Sequence, residues 1–264
     1  MNTTADTPTW STWPATLATV VVAVVVGAGI ASGLTPVLIA SVGVAMLALA
    51  YGWVRLLRLP SPRGTTAVLT SAGLLVVAGG LFSRETHVSL MPAAVALALL
   101  LEFGHQLGRR DRRPRLVESV SSSVFGIALV TSGACFLVLD DPVGRSASLV
   151  AVAGALVSAP ADLLRHATVR AGAATLLGAV AGWAVWGLVG PDQVSMHVEA
   201  AALAGALAGL ASSALRRGMG ALPTIGGFRA RWAAGAASVL AVGVVAYALA
   251  WGIIGSLDPL LQVG

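Results

Sequence analysis

Long apolar runs, separated by short polar turns, extend along almost the whole chain. Nine of these runs approach the ~20 residues that an α-helix needs to cross a hydrocarbon core of about 30 Å. The apolar residues are continuous and do not alternate with polar ones, as they would in the strands of a membrane barrel. The predicted spans are residues 15–33, 35–57, 65–83, 88–107, 118–139, 146–164, 171–190, 197–215 and 232–256. The pattern predicts an all-α fold, a polytopic transmembrane helical bundle that occupies residues 1–264 as a single domain.

The composition supports a membrane location. Hydrophobic residues make up 57% of the chain and charged residues 10%, and the mean hydropathy is +0.88. A soluble domain has about 25% charged residues, so this chain carries too few charges to cover a surface that faces water. We therefore expect a multi-pass protein of the cell membrane. The single cysteine, Cys135, excludes both a disulfide within the chain and a cysteine zinc site.

The arginines divide unevenly between the two sides that this order of spans defines. All sixteen basic residues are arginine, and fourteen of them follow the second, fourth, sixth or eighth span, whereas only Arg84 and Arg145 lie in the alternate turns. Basic residues of short loops concentrate on the cytoplasmic side of a membrane. We therefore predict a cytoplasmic N-terminus and an external C-terminus. The densest group, here called the basic loop, comprises Arg109, Arg110, Arg112, Arg113 and Arg115.

The arginines also indicate which partners to expect besides the lipid bilayer itself. They lie in short turns between helices, as membrane topology requires, so the net charge of +5 does not indicate nucleic-acid binding. Arginines at this level attract anionic lipid head groups with about 1 kcal/mol each. The same exposed loops are suited to contact another membrane protein or a cytoplasmic protein.

Glu102 is the most unusual polar residue, because it lies about 10 Å deeper than the first arginine of the basic loop at 1.5 Å per residue. His105 and Gln106 follow at i+3 and i+4 on the same helix face. An ionisable residue at membrane depth is a functional candidate. One interpretation is a carboxylate that binds a proton or an ion, with His105 as its partner. The other is a helix-end carboxylate that pairs with His105 or a nearby arginine.

Asp162 is the second candidate for an intramembrane polar site. It precedes Arg165 by three residues, which favours a local ion pair at the interface. The alternative is that Asp162 faces Glu102 across a cytoplasmic vestibule. Although Glu-x-x-His also occurs in carboxylate metal sites, those sites need matching ligands from other helices. We therefore expect neither a metal nor a cofactor.

Three glycine pairs at i, i+4 spacing predict close packing between helices. They are Gly29 and Gly33, Gly178 and Gly182, and Gly205 and Gly209. Small residues at this spacing allow two helix backbones to approach each other. They indicate packing and carry no chemistry.

Motifs of catalysis are missing from the sequence. It contains no HExxH, no GxSxG and no P-loop, so we do not expect an enzyme. The first hypothesis is a scaffold or partner subunit of a membrane-associated assembly. The second is a small permease in which Glu102 is linked to protons or ions. The second is weakened because no paired broken helices are evident in the sequence.

The segment LEFGHQLGRRDRRPRLVES, which contains Glu102 to Ser119, is the end of a helix followed by an arginine-rich turn and a new apolar helix. It resembles a stretch of uncharacterised polytopic membrane proteins of halophilic archaea that are encoded beside genes for MoxR-type ATPases. The absence of lysine is consistent with this resemblance. The resemblance implies a partner role near an ATPase-driven assembly system, and it implies no catalytic residues.

Overall fold

The computed structural model describes residues 13–82, 84–109, 115–189 and 197–261. These residues form ten α-helices and one 3₁₀ helix and contain no β-strand, which confirms the predicted all-α class. The α-helices are α1 Trp13–Ala31, α2 Thr35–Leu57, α3 Pro62–Gly79, α4 Arg84–Gly108, α5 Leu116–Val138, α6 Pro142–Val157, α7 Ala167–Val189, α8 Val198–Gly220, α9 Phe228–Leu240 and α10 Gly243–Leu261. The 3₁₀ helix, Ala159–Leu163, follows α6.

Seven helical segments of the described chain are long and apolar enough to cross a membrane. They are α2, most of α4, α5, α6 continued by the 3₁₀ helix, α7, α8, and α9 continued by α10. The apolar stretch of α1, Ala15–Ala31, is shorter than these seven segments. Helix α3, which begins with Pro62 and Arg63, is not among them either. The chain is thus an integral membrane protein with several passes.

The last predicted span, 232–256, consists of two helices. Helix α9 ends at Leu240 and α10 begins at Gly243. Ser132 of α5 lies against this break: its hydroxyl donates to the carbonyl of Ala241 at 3.1 Å and accepts the N–H of Val244 at 3.0 Å. A side chain that inserts into a helix ladder in this way is a recognised cause of a kink. The sequence pattern indicated one continuous helix here, and the structure divides it.

Helix α9 occupies the centre of the bundle. Its positions from Ala233 to Leu240 are all buried, and most of them are small. At Gly235, an added Cβ would lie 2.6 Å from the backbone of Ala18 in α1. At Gly52 of α2, it would lie 2.0 Å from the carbonyl oxygen of Arg229. Small residues thus let α1 and α2 pack closely on α9, and a buried hydrogen bond of 3.0 Å joins Thr19 to Ser238 across the first of these contacts.

The glycine pairs of α7 and α8 face each other, which agrees with the close packing that their spacing predicts. A Cβ on Gly178 would lie 2.2 Å from the carbonyl oxygen of Gly205, and one on Gly205 would lie 2.2 Å from that of Gly178. The pair in α1 behaves differently. Gly29 packs against Ser41 of α2, but Gly33 lies beyond the end of α1 in a turn with φ +70°, a conformation that favours glycine.

Contacts between turns define two ends of the bundle. At one end, here called the arginine face, Arg115 donates to the carbonyl of Arg58 at 3.1 Å, and Thr224 donates to the carbonyl of Leu56. This end therefore joins the turns that carry most of the arginines. At the opposite face, Thr35 bonds the Asp140 carboxylate, which also forms a 2.7 Å ion pair with Arg145.

Candidate functional site

Glu102 is fully buried on α4. Its Oε1 accepts a hydrogen bond of 2.6 Å from Nε2 of Gln106, one helical turn nearer the arginine face. The same nitrogen donates to the Ser119 hydroxyl of α5 at 2.9 Å. The amide of Gln106 therefore holds the carboxylate at the interface between α4 and α5.

The basic loop connects to Glu102 through this glutamine. Nη1 of Arg109 donates to Oε1 of Gln106 at 2.9 Å. The amide accepts from the cation with its oxygen and donates to the carboxylate with its nitrogen, so its dipole is aligned between the two charges. Arg109 thus stabilises the buried carboxylate without touching it.

Further polar atoms are buried in the same three-helix group, in which α3, α4 and α5 pack on one another. Oε2 of Glu102, Oγ1 of Thr65 on α3 and Oγ of Ser123 on α5 have no hydrogen-bond partner among the described residues. Ser123 lies one turn beyond Ser119, and Glu102 lies one turn beyond Gln106, so the two are at a similar depth. A buried acceptor without a partner costs about 1–3 kcal/mol. Among these three atoms, Oε2 of Glu102 is the strongest candidate for a chemical role.

His105 is not the partner of Glu102, contrary to the prediction. Its Nε2 lies 2.9 Å from the Ser61 hydroxyl at the start of α3, and its ring packs against Gly64. The position at i+3 turns toward α3, whereas the position at i+4 turns toward α5. The Glu-x-x-His spacing therefore does not bring its two side chains together.

Asp162 lies in the 3₁₀ helix and pairs with Arg216 of α8, not with Arg165. The distance between Nε of Arg216 and Oδ2 of Asp162 is 2.6 Å, and both side chains are more than nine-tenths buried. The Thr16 hydroxyl of α1 adds a bond of 3.0 Å to the same oxygen. The prediction of a local pair with Arg165 was wrong, because a buried guanidinium from another helix occupies the carboxylate.

Arg216 fills its remaining bonding capacity inside the bundle. It donates to the Ser212 hydroxyl at 2.6 Å and to the backbone carbonyl and hydroxyl of Ser158 at 3.3 Å each. A buried ion pair needs such additional bonds to offset the loss of hydration. Asp162 and Arg216 thus connect the ends of α1, α6 and α8.

The two carboxylates belong to different helix groups. Helix α4 packs on α3 and α5, while the 3₁₀ helix packs on α1, α6, α7 and α8. Asp162 bonds Arg216 and Thr16, whereas Glu102 bonds Gln106. Among the described residues the two carboxyl groups therefore do not face each other as the predicted vestibule requires.

Only part of the basic loop lies within the described residues. Arg109 bonds Gln106, and Arg115 forms an exposed ion pair with Glu118 in the first turn of α5. Arg115 has φ 53°, so it occupies a left-handed conformation where the chain enters α5. Arg110, Arg112 and Arg113 lie outside the described residues.

The sequence contained a signal for the buried role of Arg216. The buried positions of α8 include Gly205, Gly209, Ser212 and Arg216, at intervals of three and four residues. This is the period of one helix face. Arg216 therefore continues the packed face, whereas its neighbour Arg217 points outward.

No family model matches the sequence, and the comparisons with curated proteins and with solved structures give no match. Any functional conclusion therefore depends on the chemistry of the residues described above.

Proposed function

We propose that this protein is a non-enzymatic integral membrane scaffold that anchors a partner at its arginine face. The observation that supports the proposal is the closure of both intramembrane carboxylates. Glu102 is sealed between α4 and α5, and Asp162 is held by Arg216. Their hydrogen bonds join helices to one another.

The arginine face is the surface that remains for recognition. Arg55, Arg165, Arg217 and Arg229 are exposed there, and Arg145 at the opposite face is neutralised by Asp140. In the proposed orientation the arginine face is cytoplasmic and contacts anionic lipid head groups and a protein partner. The resemblance of the basic loop favours a component of an ATPase-driven assembly system as that partner.

Photocrosslinking in native membranes tests the scaffold. A photoreactive residue at Arg217, on the arginine face, should give discrete adducts with another protein. The same residue at Pro142, exposed on the opposite face, serves as the matched control and should give none of these adducts. If position 217 yields only lipid adducts and adducts with copies of this chain, the scaffold proposal fails.

A permease is the second candidate, and it is favoured by one observation. Oε2 of Glu102 is buried and has no partner among the described residues, as a group that receives a proton or an ion would be in one state of a transport cycle. The break between α9 and α10 adds a discontinuous helix of the kind that transporters use.

Proteoliposomes distinguish the two candidates. A permease should support a solute flux that depends on a pH gradient and that is abolished by Glu102→Gln but not by Glu118→Gln, which changes an exposed carboxylate. A scaffold should support no such flux. A flux that persists unchanged in Glu102→Gln would remove Glu102 from the mechanism.

A further inference from the structure

A groove of about 700 Å³ lies on the arginine face where α2, α3 and α9 meet. Arginines from all three helices line it: Arg55 at the end of α2, Arg63 at the start of α3 and Arg229 at the start of α9. The hydroxyl-bearing residues Tyr51, Thr66, Thr70 and Ser71 also line the groove. Three helices thus bring cations and hydrogen-bond donors to one concave surface.

The positive charge of this groove is not compensated within the described part of the chain. No carboxylate is among the residues that line it. The guanidinium of Arg229 lies 4.3 Å from the centre of the Tyr51 ring, a cation–π contact that orients it without neutralising it. The side chains of Arg55 and Arg63 have no ion pair or hydrogen bond with any described residue. Three like charges around one concavity favour an anionic ligand.

The start of α3 adds to the positive potential. Helix α3 begins at Pro62, which lines the groove, and its N-cap residue Ser61 makes no capping bond with its side chain. The first backbone N–H groups of a helix have no partner within the helix, and they carry the positive end of its dipole. Phosphate groups bind at such positions, and here the position coincides with the three arginines.

The shape of the groove indicates a lipid and not a soluble anion. Thr70 lies about 10 Å deeper than Arg63 along α3, at 1.5 Å per residue. One turn beyond Thr70, Leu74 is 59% exposed, and one turn below Tyr51 on α2, Leu47 is 50% exposed. The polar groove therefore continues into an apolar surface on the same two helix faces. A soluble phosphate would not contact this apolar surface, whereas the acyl chains of a lipid would cover it.

We propose that this groove is a binding site for the phosphate head group of an anionic phospholipid, with Arg55, Arg63 and Arg229 on the phosphate and the acyl chains on Leu47 and Leu74. The site is specific in position, unlike the diffuse attraction of arginine loops for an anionic surface. It is independent of whether the protein acts as a scaffold or as a permease.

Native mass spectrometry of the full-length protein tests the site. The protein is purified in detergent and equilibrated with equal amounts of phosphatidylglycerol and phosphatidylcholine. The wild type should retain phosphatidylglycerol in preference to phosphatidylcholine. In Arg55→Gln/Arg63→Gln, the retained phosphatidylglycerol should fall roughly 100-fold, because each arginine that bonds the phosphate directly contributes about tenfold. The single variant Arg63→Gln should show roughly a tenfold decrease by the same reasoning.

The matched control is Arg165→Gln/Arg217→Gln, which removes the same charge from exposed positions of the arginine face outside the groove. It should retain phosphatidylglycerol like the wild type, because the diffuse attraction of exposed arginines requires a charged bilayer surface and the detergent micelle has none. An equal decrease in this control would show diffuse attraction and overturn the site. Equal retention of the two lipids by the wild type, or displacement of phosphatidylglycerol by millimolar inorganic phosphate, would also overturn a lipid site.

Discussion

The contrast between Arg216 and its neighbour Arg217 shows that a single position along a helix decides the role of a charge. Arg217 is exposed, whereas Arg216 is 3% exposed and bonded to Asp162, Ser158 and Ser212. A buried guanidinium is tolerable only with a counter-charge and with its donors satisfied. The ion pair with Asp162 is therefore a structural element of the bundle.

Removal of one member of this pair should destabilise the protein strongly. We expect Asp162→Leu and Arg216→Met each to cost about 3–5 kcal/mol, because either change leaves a buried charge without a partner. The double variant should be more stable than either single variant, because two apolar side chains need no pairing. Thermal unfolding in detergent, analysed as a double-mutant cycle, measures this.

The exposed pair between Arg115 and Glu118 supplies the control for this cycle. Both of these side chains are about half exposed, so Arg115→Met should change the unfolding temperature only slightly. Additive effects of Asp162→Leu and Arg216→Met would contradict the proposed coupling between the two residues.

The candidate site was partly predictable at the scale of single residues. Glu102 is a candidate because it precedes the basic loop by seven residues on an apolar helix, and the structure buries it completely. Its partner was not predictable, because His105 and Gln106 share one face of α4 in the sequence. Which of them meets α3 and which meets α5 depends on how three helices are arranged, and neither residue specifies that arrangement. The same reason explains why Asp162 was assigned to Arg165 and not to Arg216.

At the scale of elements, the contact between α7 and α8 depends on glycines that meet backbone to backbone. Glycine pairs at i, i+4 predicted close packing at these positions, because the capacity for a short distance between helices is encoded locally, but they did not specify which helices would meet. The break after Leu240 was not predictable. It is stabilised by Ser132, which lies 109 residues from Ala241 in the chain, and no proline marks it.

The substitution Gly205→Ala should weaken the packing of α7 on α8. Its Cβ would lie 2.2 Å from the carbonyl oxygen of Gly178, and a helix backbone cannot move away as a flexible side chain can. Overpacking of this kind costs about 1–3 kcal/mol, so we expect a lower unfolding temperature in detergent.

Gly187→Ala is the matched control on α7, because a Cβ added at this position would have no heavy atom of another element within 4 Å. Alanine has the higher helix propensity, so this variant should unfold at the same temperature as the wild type or slightly above it. Equal behaviour of the two variants would show that the close glycine contact does not limit stability.

At the scale of the whole molecule, the two ends of the bundle treat arginine differently. On the arginine face, Arg55, Arg63 and Arg217 are exposed and make no ion pair among the described residues. At the opposite face, Arg145 is bound by Asp140, and Asp141 caps α6 by accepting the N–H of Gly144 at 2.9 Å. The side chain of Arg84 lies outside the described residues. Arg115 and Arg216 of the arginine face are also paired, with Glu118 and Asp162. Among the described residues, exposed arginines without an ion pair are therefore found on the arginine face.

This difference leads to a prediction of orientation. Cys135 is the only cysteine, so Cys135→Ala provides a background for single-cysteine variants. Arg217→Cys and Pro142→Cys place a thiol at exposed positions of the arginine face and of the opposite face, respectively. In intact cells, a maleimide that cannot cross the membrane should label position 142. Position 217 should react only after permeabilisation, because basic turns resist translocation.

Labelling in detergent establishes that both thiols are reactive, and thereby separates topology from local burial. If position 217 reacts in intact cells while position 142 does not, the arginine face is external, and a cytoplasmic partner of that face is excluded. If both positions react in intact cells, the chain inserts in two orientations. The phospholipid groove would survive either result, because anionic head groups can reach it from whichever leaflet borders the arginine face, whereas the scaffold proposal requires that leaflet to be cytoplasmic.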